Sequence, residues 1–260
     1  MLFENRLLLN EVMTPKQDDE NIEEALQKFA DKYNASIEKN MVICITDNPM
    51  GLMSFNAIET LEETAVSINP EQICVHLNTF HTKDELTFIL ESMIKKGMQH
   101  LLVVSGDGNE KLHRLTPEEL NVEATTITSV ELMKYIKREY PGKFCLGCAF
   151  NHYEPQENER HKLQRKIEAG AEYIITQPLI RKNDNVDWLK SVGVPVFVEA
   201  WMTKKIEKVA ECVGYELPPE DLNYDPIQNY LTLKNNYPEF GVYFAMLGMK
   251  KQIEELKLNS

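Results

Sequence analysis

Short apolar runs alternate with longer amphipathic stretches along the whole chain. Leu7–Glu11 reads as a first strand. Glu20–Tyr33 reads as the helix after it, with Ile22, Ala25, Leu26 and Phe29 at helical spacing. Met41–Thr46 and Ala57–Val66 make a second strand–helix unit, Gln72–Leu77 and Lys83–Lys96 a third. In that third helix Leu86, Ile89, Leu90 and Met93 share one face. The pattern then repeats: His100–Ser105 with Val130–Glu139, Phe144–Ala149 with Glu157–Glu168, and Tyr173–Thr176 with a short Val186–Lys190. Pro195–Glu199 with Lys204–Val213 and Gly241–Phe244 with Lys250–Leu256 complete it.

The reading therefore gives eight strand–helix units on 260 residues, with no break in composition between them. Several strands are continuous apolar runs, as strands covered on both faces must be. Eight units on about 250 residues is the usual size of a TIM barrel. The expected fold is one (β/α)8 barrel domain over residues 1–260, with a doubly wound sheet as the alternative. Two connections are long. Gly106–Thr126 follows the fourth strand on the catalytic face, where it reads as a lid or as a plain surface insertion. Gly214–Tyr237 precedes the eighth strand and reads as a structural loop.

Three of the strands finish on polar groups. His100-Leu101-Leu102-Val103-Val104 runs into Ser105-Gly106-Asp107, Tyr173-Ile174-Ile175-Thr176 into Gln177-Pro178, and Leu7-Leu8-Leu9 into Asn10-Glu11. In parallel α/β proteins the C-terminal ends of strands handle ligands. The pattern points to an enzyme more than to a binding module.

Composition narrows the partners. The chain is 43% hydrophobic and carries a formal net charge of -13. That balance argues against broad nucleic-acid binding, which wants a basic face, and against docking on anionic membrane lipid. The five cysteines are odd in number and fall mostly in strands, which suits a reduced cytoplasmic protein. No signal peptide is visible, and every apolar run is shorter than a membrane span.

Several side chains offer chemistry. Glu11, at a strand end in an apolar mouth, has its pKa raised by desolvation and becomes a proton donor near neutral pH; otherwise it is a solvated loop glutamate. Asp107 beside Gly106 can accept two N–H bonds from a heterocycle edge, or else caps a turn. Gln177, held extended by Pro178, offers a donor and an acceptor, or serves a turn. His76 on the third strand is a ligand or a satisfied core residue. Cys145 and Cys148 lie on one strand at positions facing opposite ways, so they do not chelate together. No metal site is expected. Gly106-Asp107-Gly108 lacks dinucleotide or P-loop spacing.

Taken in order, these segments resemble the methylenetetrahydrofolate reductase family. The closest stretch is Leu163-Gln164-Arg165-Lys166-Ile167-Glu168-Ala169-Gly170-Ala171-Glu172-Tyr173-Ile174-Ile175-Thr176-Gln177. Val75-His76-Leu77, Ser105-Gly106-Asp107, Leu9-Asn10-Glu11 with Pro15, and Gly241-Val242-Tyr243-Phe244 add weaker matches. The resemblance implies a TIM barrel with FAD at its C-terminal face, passing a hydride to 5,10-methylene-tetrahydrofolate to give 5-methyl-tetrahydrofolate. It implies Glu11 as general acid, Asp107 as pterin anchor near the flavin, and Gln177 as a second folate contact. Thr46, His76, Glu159 and Lys166 match flavin-binding positions.

The chain departs from the family at four of its positions. Ser105 stands where many members have arginine, and Phe150 where tyrosine is common. A family histidine is matched by Glu154, or by His152 if the loop shifts. A double proline is reduced to Thr14-Pro15. Losing the arginine removes a charge-assisted phosphate contact worth about 1.5–3 kcal/mol. A second reading is therefore a flavin-independent methyltransferase that exchanges a methyl group between tetrahydrofolate and a carrier such as a corrinoid protein. A third is a non-catalytic subunit that docks on a partner enzyme. The first reading needs an electron donor, which the sequence leaves open, as it does a homo-oligomer.

Overall fold

The computed structural model describes residues 8–216, 223–249 and 251–256. Eight parallel strands close into a barrel in chain order: β1 Leu8–Val12, β2 Val42–Ile45, β3 Ile73–Leu77, β4 His100–Val103, β5 Cys145–Phe150, β6 Ala171–Pro178, β7 Val196–Trp201 and β8 Gly241–Ala245. β1 pairs with both β2 and β8, which closes the ring. The (β/α)8 expectation is met. The first residue of the expected first strand, Leu7, lies outside the described residues, as does Lys250 at the start of the last helix.

The helices are α1 Ile22–Glu38, α2 Ala57–Glu63, α3 Lys83–Lys95, α4 Pro117–Leu120, α5 Ser129–Glu139, α6 Gln156–Glu168, α7 Asp184–Trp188, α8 Glu207–Val213, α9 Pro226–Asn236 and α10 Lys251–Glu255. Four of them start the same way. Asn56, Thr82, Thr116 and Thr128 each accept from backbone N–H groups of the first turn, and Glu59, Glu85, Glu119 and Glu131 reach back to the cap residue. This reciprocal capping satisfies donors that a helix start otherwise leaves orphaned, and it fixes where α2, α3, α4 and α5 begin.

Strand alternation sorts the side chains into two cores. Ile43, Ile45, Ile73, Val75, Leu77, Leu101 and Val103 point outward and pack with Leu86, Leu90, Leu132 and Ile136 of the helices. Leu9, Val42, Cys44, Cys74, Leu102, Tyr173, Ile175, Phe197 and Tyr243 point inward and fill the barrel. Cys145 joins the inner set and Cys148 the outer one, as their spacing requires. All five cysteines are free of disulfides. Among the described residues no helix is long and apolar enough to cross a membrane.

Tyr173 plugs the barrel. Its ring lies over Gly147, where a Cβ would sit only 2.1 Å from the ring edge. Its hydroxyl donates to the Leu101 carbonyl at 2.8 Å and lies 3.1 Å from the Cys74 sulfur.

The β7–β8 connection differs from expectation. Lys204–Val213 reads in sequence as the outer helix of the seventh unit, and Gly214–Tyr237 as a loop. In the structure α9 is the outer helix: Tyr230 and Leu233, with Tyr237 just past its end, pack in the outer core, and α9 lies on β7. α8 instead belongs to the mouth, because Ile206 and Val209 join the inner cluster with Phe197 and Trp201. Asn229 ties α9 to the end of β6, donating to the Leu179 carbonyl and the Tyr224 hydroxyl, each at 3.0 Å. The short apolar face of α8 fits either core, so its periodicity alone did not assign it.

Gly147→Ala should lower the unfolding free energy by about 1–3 kcal/mol, because the new methyl overpacks a site already filled by Tyr173. A lower urea midpoint with an unchanged slope is the expected result; an unchanged midpoint would show that Tyr173 does not need the space.

Candidate active site

The same parity that sorts the cores selects the groups lining the mouth. Glu11 follows Leu9 on β1, His76 follows Cys74 on β3, and Glu199 lies between Phe197 and Trp201 on β7. These three therefore face the interior near the C-terminal ends of their strands, whereas Gln177 lies near the end of β6 at a register shift that interrupts the alternation. Tyr243 of β8 joins them. Its hydroxyl donates to Glu11 Oε2 at 2.8 Å and lies 3.5 Å from His76 Nε2, and its ring stacks on His76 with centroids 6.1 Å apart.

This setting perturbs every group in it. Burial raises the Glu11 pKa, against the hydrogen bond from Tyr243 and the charge of Lys32. Burial, then the nearby Glu11 charge, holds the Glu199 carboxyl well above the usual range. Burial pushes His76 down to about 4 although Asp47 opposes it, so the imidazole is neutral. Tyr243 is held well above its ordinary value by burial and by Glu11. The mouth is thus an apolar cup containing two carboxyl groups, a neutral imidazole and a phenol.

Asp107 stands elsewhere than its sequence suggests. β4 ends at Val103, so Asp107 does not finish a strand; it lies in an exposed loop. That loop is held over the β2–α2 connection, where Asn109 donates to the Gly51 carbonyl. A Cβ at Gly51, which has φ +70°, would meet the Asp107 carbonyl oxygen at 3.2 Å. Asp107 nevertheless lies at the C-terminal end of the barrel, four residues past the end of β4. The Cys212 thiol on α8 is pushed up to about 11 by desolvation and then by Glu199, Glu11 and Asp107 together. The Gln177 amide makes no side-chain hydrogen bond among the described residues and is free for a ligand.

The remaining positions are built into the scaffold. Thr46 Oγ1 accepts from the Thr14 N–H at 3.2 Å, tying β2 to the turn after β1. Glu159, 2% exposed, accepts from the Asn151 N–H at 2.9 Å and lies 3.6 Å from Lys166. Lys166 donates to the Ala149 carbonyl at 2.7 Å. Phe150 points into the outer core, 6.4 Å from the Trp188 ring. His152 is buried against Tyr153 with centroids 4.2 Å apart, and burial pushes it down to about 3. Ser105 Oγ accepts from the Ser129 N–H at 3.2 Å, at the start of α5.

These residues do not fit the phosphates of a flavin dinucleotide. Lys166, the cation at the matched positions, is spent on Glu159 and a backbone carbonyl. Ser105 carries no charge and serves α5, and Phe150 faces away from the mouth.

Sequence reading missed three groups. Glu199 closes Val196-Phe197-Val198 as Glu11 closes its own strand, so the same signal was present. Tyr243 is hidden inside an apolar run. Asp47, just past β2, accepts from the Asn78 N–H and pairs with His81 Nε2, both at 2.7 Å, with side chains only 5% and 6% exposed. This pair pins the loop after β3. Among the described residues no cluster of three or more His, Cys, Asp or Glu is arranged to hold a metal.

The fold and the mouth define a (β/α)8 barrel whose perturbed acids gather at the C-terminal face, where such barrels handle ligands. The sequence model for methylenetetrahydrofolate reductase matches residues 4–220, and the chain belongs to that family. Methylenetetrahydrofolate reductase 2 of Saccharomyces cerevisiae is 29% identical over 170 residues, covering 62% of this chain and 27% of the yeast protein. The matched region thus spans about a quarter of that relative's length. A Clostridium thermocellum protein described as binding two copies of 5-methyl-5,6,7,8-tetrahydrofolic acid superposes with a TM-score of 0.62 at 15% identity, over 97% of this chain and 93% of that one. Coxiella burnetii dihydropteroate synthase, in complex with pteroic acid, gives 0.52 at 11% identity, over 99% and 93%. These superpositions show the shared barrel.

The Asp47–His81 pair makes a pH-dependent prediction. Burial opposes charge on His81, but the proximity and hydrogen bond of Asp47 outweigh it and raise its pKa. A histidine whose pKa is higher folded than unfolded contributes fully below about pH 6.5 and progressively less as pH rises through the folded value. His81→Gln should therefore cost about 1–3 kcal/mol in the acid range, with the gap to wild type narrowing at higher pH. Unfolding curves across the pH range check this, and a gap that widens with pH would contradict it.

Proposed function

We propose that the chain binds a reduced folate in the barrel mouth and acts on its one-carbon unit, with Glu11 as the proton donor. One observation carries this reading: Glu11 faces the interior at the end of β1, fixed by Tyr243, with its pKa raised by burial. One-carbon chemistry on a reduced pteridine needs such an acid, because its nitrogens leave poorly unless protonated. Gln177 and Asp107 supply amide and carboxylate contacts to the donor-rich pterin edge. Membership of the family supports the folate class, and the ligand of the Clostridium thermocellum barrel agrees with it.

The reaction that best suits the scaffold is methyl transfer without flavin. In 5-methyl-tetrahydrofolate, protonation at N5 by Glu11 makes that nitrogen a neutral leaving group. The methyl then passes to a nucleophile on a carrier, such as a corrinoid protein docked at the mouth. Tyr243 holds Glu11 in place and the apolar cup keeps bulk water from competing for the proton. A second reading, flavin-mediated reduction of 5,10-methylene-tetrahydrofolate, is favoured by the family match and by the name of the yeast relative. In that case a reduced flavin would supply the hydride, and a nicotinamide nucleotide, ferredoxin or partner subunit the electrons.

The purified protein separates the two. A colourless protein that binds 5-methyl-tetrahydrofolate in calorimetry is the expected result, whereas a yellow protein with a flavin absorbance band would favour reduction. No binding of either folate would reject both.

Glu11→Gln should retain folate binding and reduce turnover by about 10²–10⁴-fold, the usual contribution of a positioned acid. Unchanged turnover would remove Glu11 from the chemistry. Asp107→Asn should weaken folate affinity with little effect on folding, since the side chain is exposed; an unmoved affinity would reject Asp107 as a pterin contact.

A further inference from the structure

Glu199 has no assigned task in the reaction described above. It sits opposite Tyr243 in the β7–β8 register, and on the other side of β8 Tyr243 sits opposite Leu9, two residues before Glu11. The phenol thus stands on the strand that separates the two glutamates. Tyr243 satisfies one of them, donating to Glu11 Oε2 at 2.8 Å. Among the described residues no hydrogen bond or ion pair satisfies the Glu199 carboxyl. Two ionised carboxylates in one apolar cup, one of them unpartnered, is an arrangement that electrostatics disfavours strongly.

We propose that Glu11 and Glu199 titrate as a coupled pair that carries one proton at rest, with Glu199 as the store and Glu11 as the delivering member. This rests on the reading of Glu11 as proton donor and deepens it. In the resting state Tyr243 donates to ionised Glu11 and the proton resides on Glu199. For donation, Glu199 releases its proton to water at the mouth, Glu11 takes one up, and Glu11 passes it to the pteridine nitrogen. Both glutamates are then anionic, and the cation formed on the substrate balances the added charge. After the one-carbon unit departs, one proton from water at the mouth restores the pair.

The surroundings favour this assignment. The charged and titratable groups that act on Glu11 of β1 are Tyr243 of β8, which bonds it, Lys32 of α1 and Cys44 of β2. Glu199 faces Glu11, Tyr243, Cys212 of α8 and Tyr224 ahead of α9. Cys44, Tyr224 and Tyr243 are held neutral by burial, and His76 is neutral as well, while Cys212 is exposed on α8. Of the two carboxyls, Glu199 is raised further, because Glu11 has the Tyr243 bond and Lys32 to favour its charge.

Infrared difference spectroscopy of the full chain, titrated with pH and without folate, tests the pair. Wild type should show the C=O band of a protonated carboxyl surviving to neutral pH. Glu199→Gln should abolish that band at neutral pH. Glu11→Gln should keep it but lower its midpoint by about one pH unit, since the charge raising Glu199 is gone. In turnover, Glu199→Gln should move the alkaline limb of the pH profile down by about one unit, with activity recovering at lower pH, which a purely structural role would not produce. No band at neutral pH in wild type, or an unchanged band in Glu199→Gln, would overturn the proposal. If neither variant folds, the wild-type titration alone decides it. Because the band is read without folate, a protein that shows it yet binds no folate would reject the folate reading and leave the pair standing.

Discussion

Closure of the parallel sheet is the constraint from which the rest of the structure follows. Once β1 pairs with β8, no edge strand remains and every second strand residue is committed to a single enclosed interior. Below the mouth that interior is apolar, with Tyr173 crossing it. At the mouth the same parity delivers Glu11, His76, Glu199 and Tyr243 to one cup. The polar groups meet there because each is an even number of residues beyond an inward-facing core residue, so hydrophobic packing of the interior fixes the geometry of the acids.

The fold was legible because it depends on alternation and periodicity, which local sequence records directly. The strand cores survive with small shifts at their ends, and α3 begins and ends almost where its apolar stripe does. Glu11 was legible for the same reason: a carboxylate closing an apolar strand has to sit at the rim. Glu199 carried the same mark and was passed over because no family motif drew attention to it. Tyr243 and Asp47 were not legible, since their importance lies in the partners that closure brings together, Glu11 across the barrel seam and His81 from the next loop. α9 lay inside a stretch that reads as a loop, and α8 was given the outer place because a short apolar helix face does not reveal which of two cores it enters.

The positions that resemblance assigns to a flavin show how a scaffold can keep residue types while changing their use. Glu159 and Lys166 remain, but they neutralise each other beneath the end of β5 and hold the Ala149 carbonyl and the Asn151 amide. Lone charges would be costly in that setting, and a mutual pair with backbone bonds is the arrangement in which they are tolerated. The acids at the mouth show the opposite pattern. Among the described residues Glu11 and Glu199 have no cation bonded to them, and their charges are left for a ligand or a proton to balance.

Tyr173 also gives the molecule a direction. Its ring closes the barrel at Gly147, and its hydroxyl is tied to β4. Among the described residues, the side of Tyr173 that carries the glutamates opens toward the C-terminal ends of the strands, with α8 as part of the frame. A folate seated there would cork the passage. While it stayed, the glutamates beneath would be sealed from the solvent that sets the pH, and each visit would have to run on the proton already aboard.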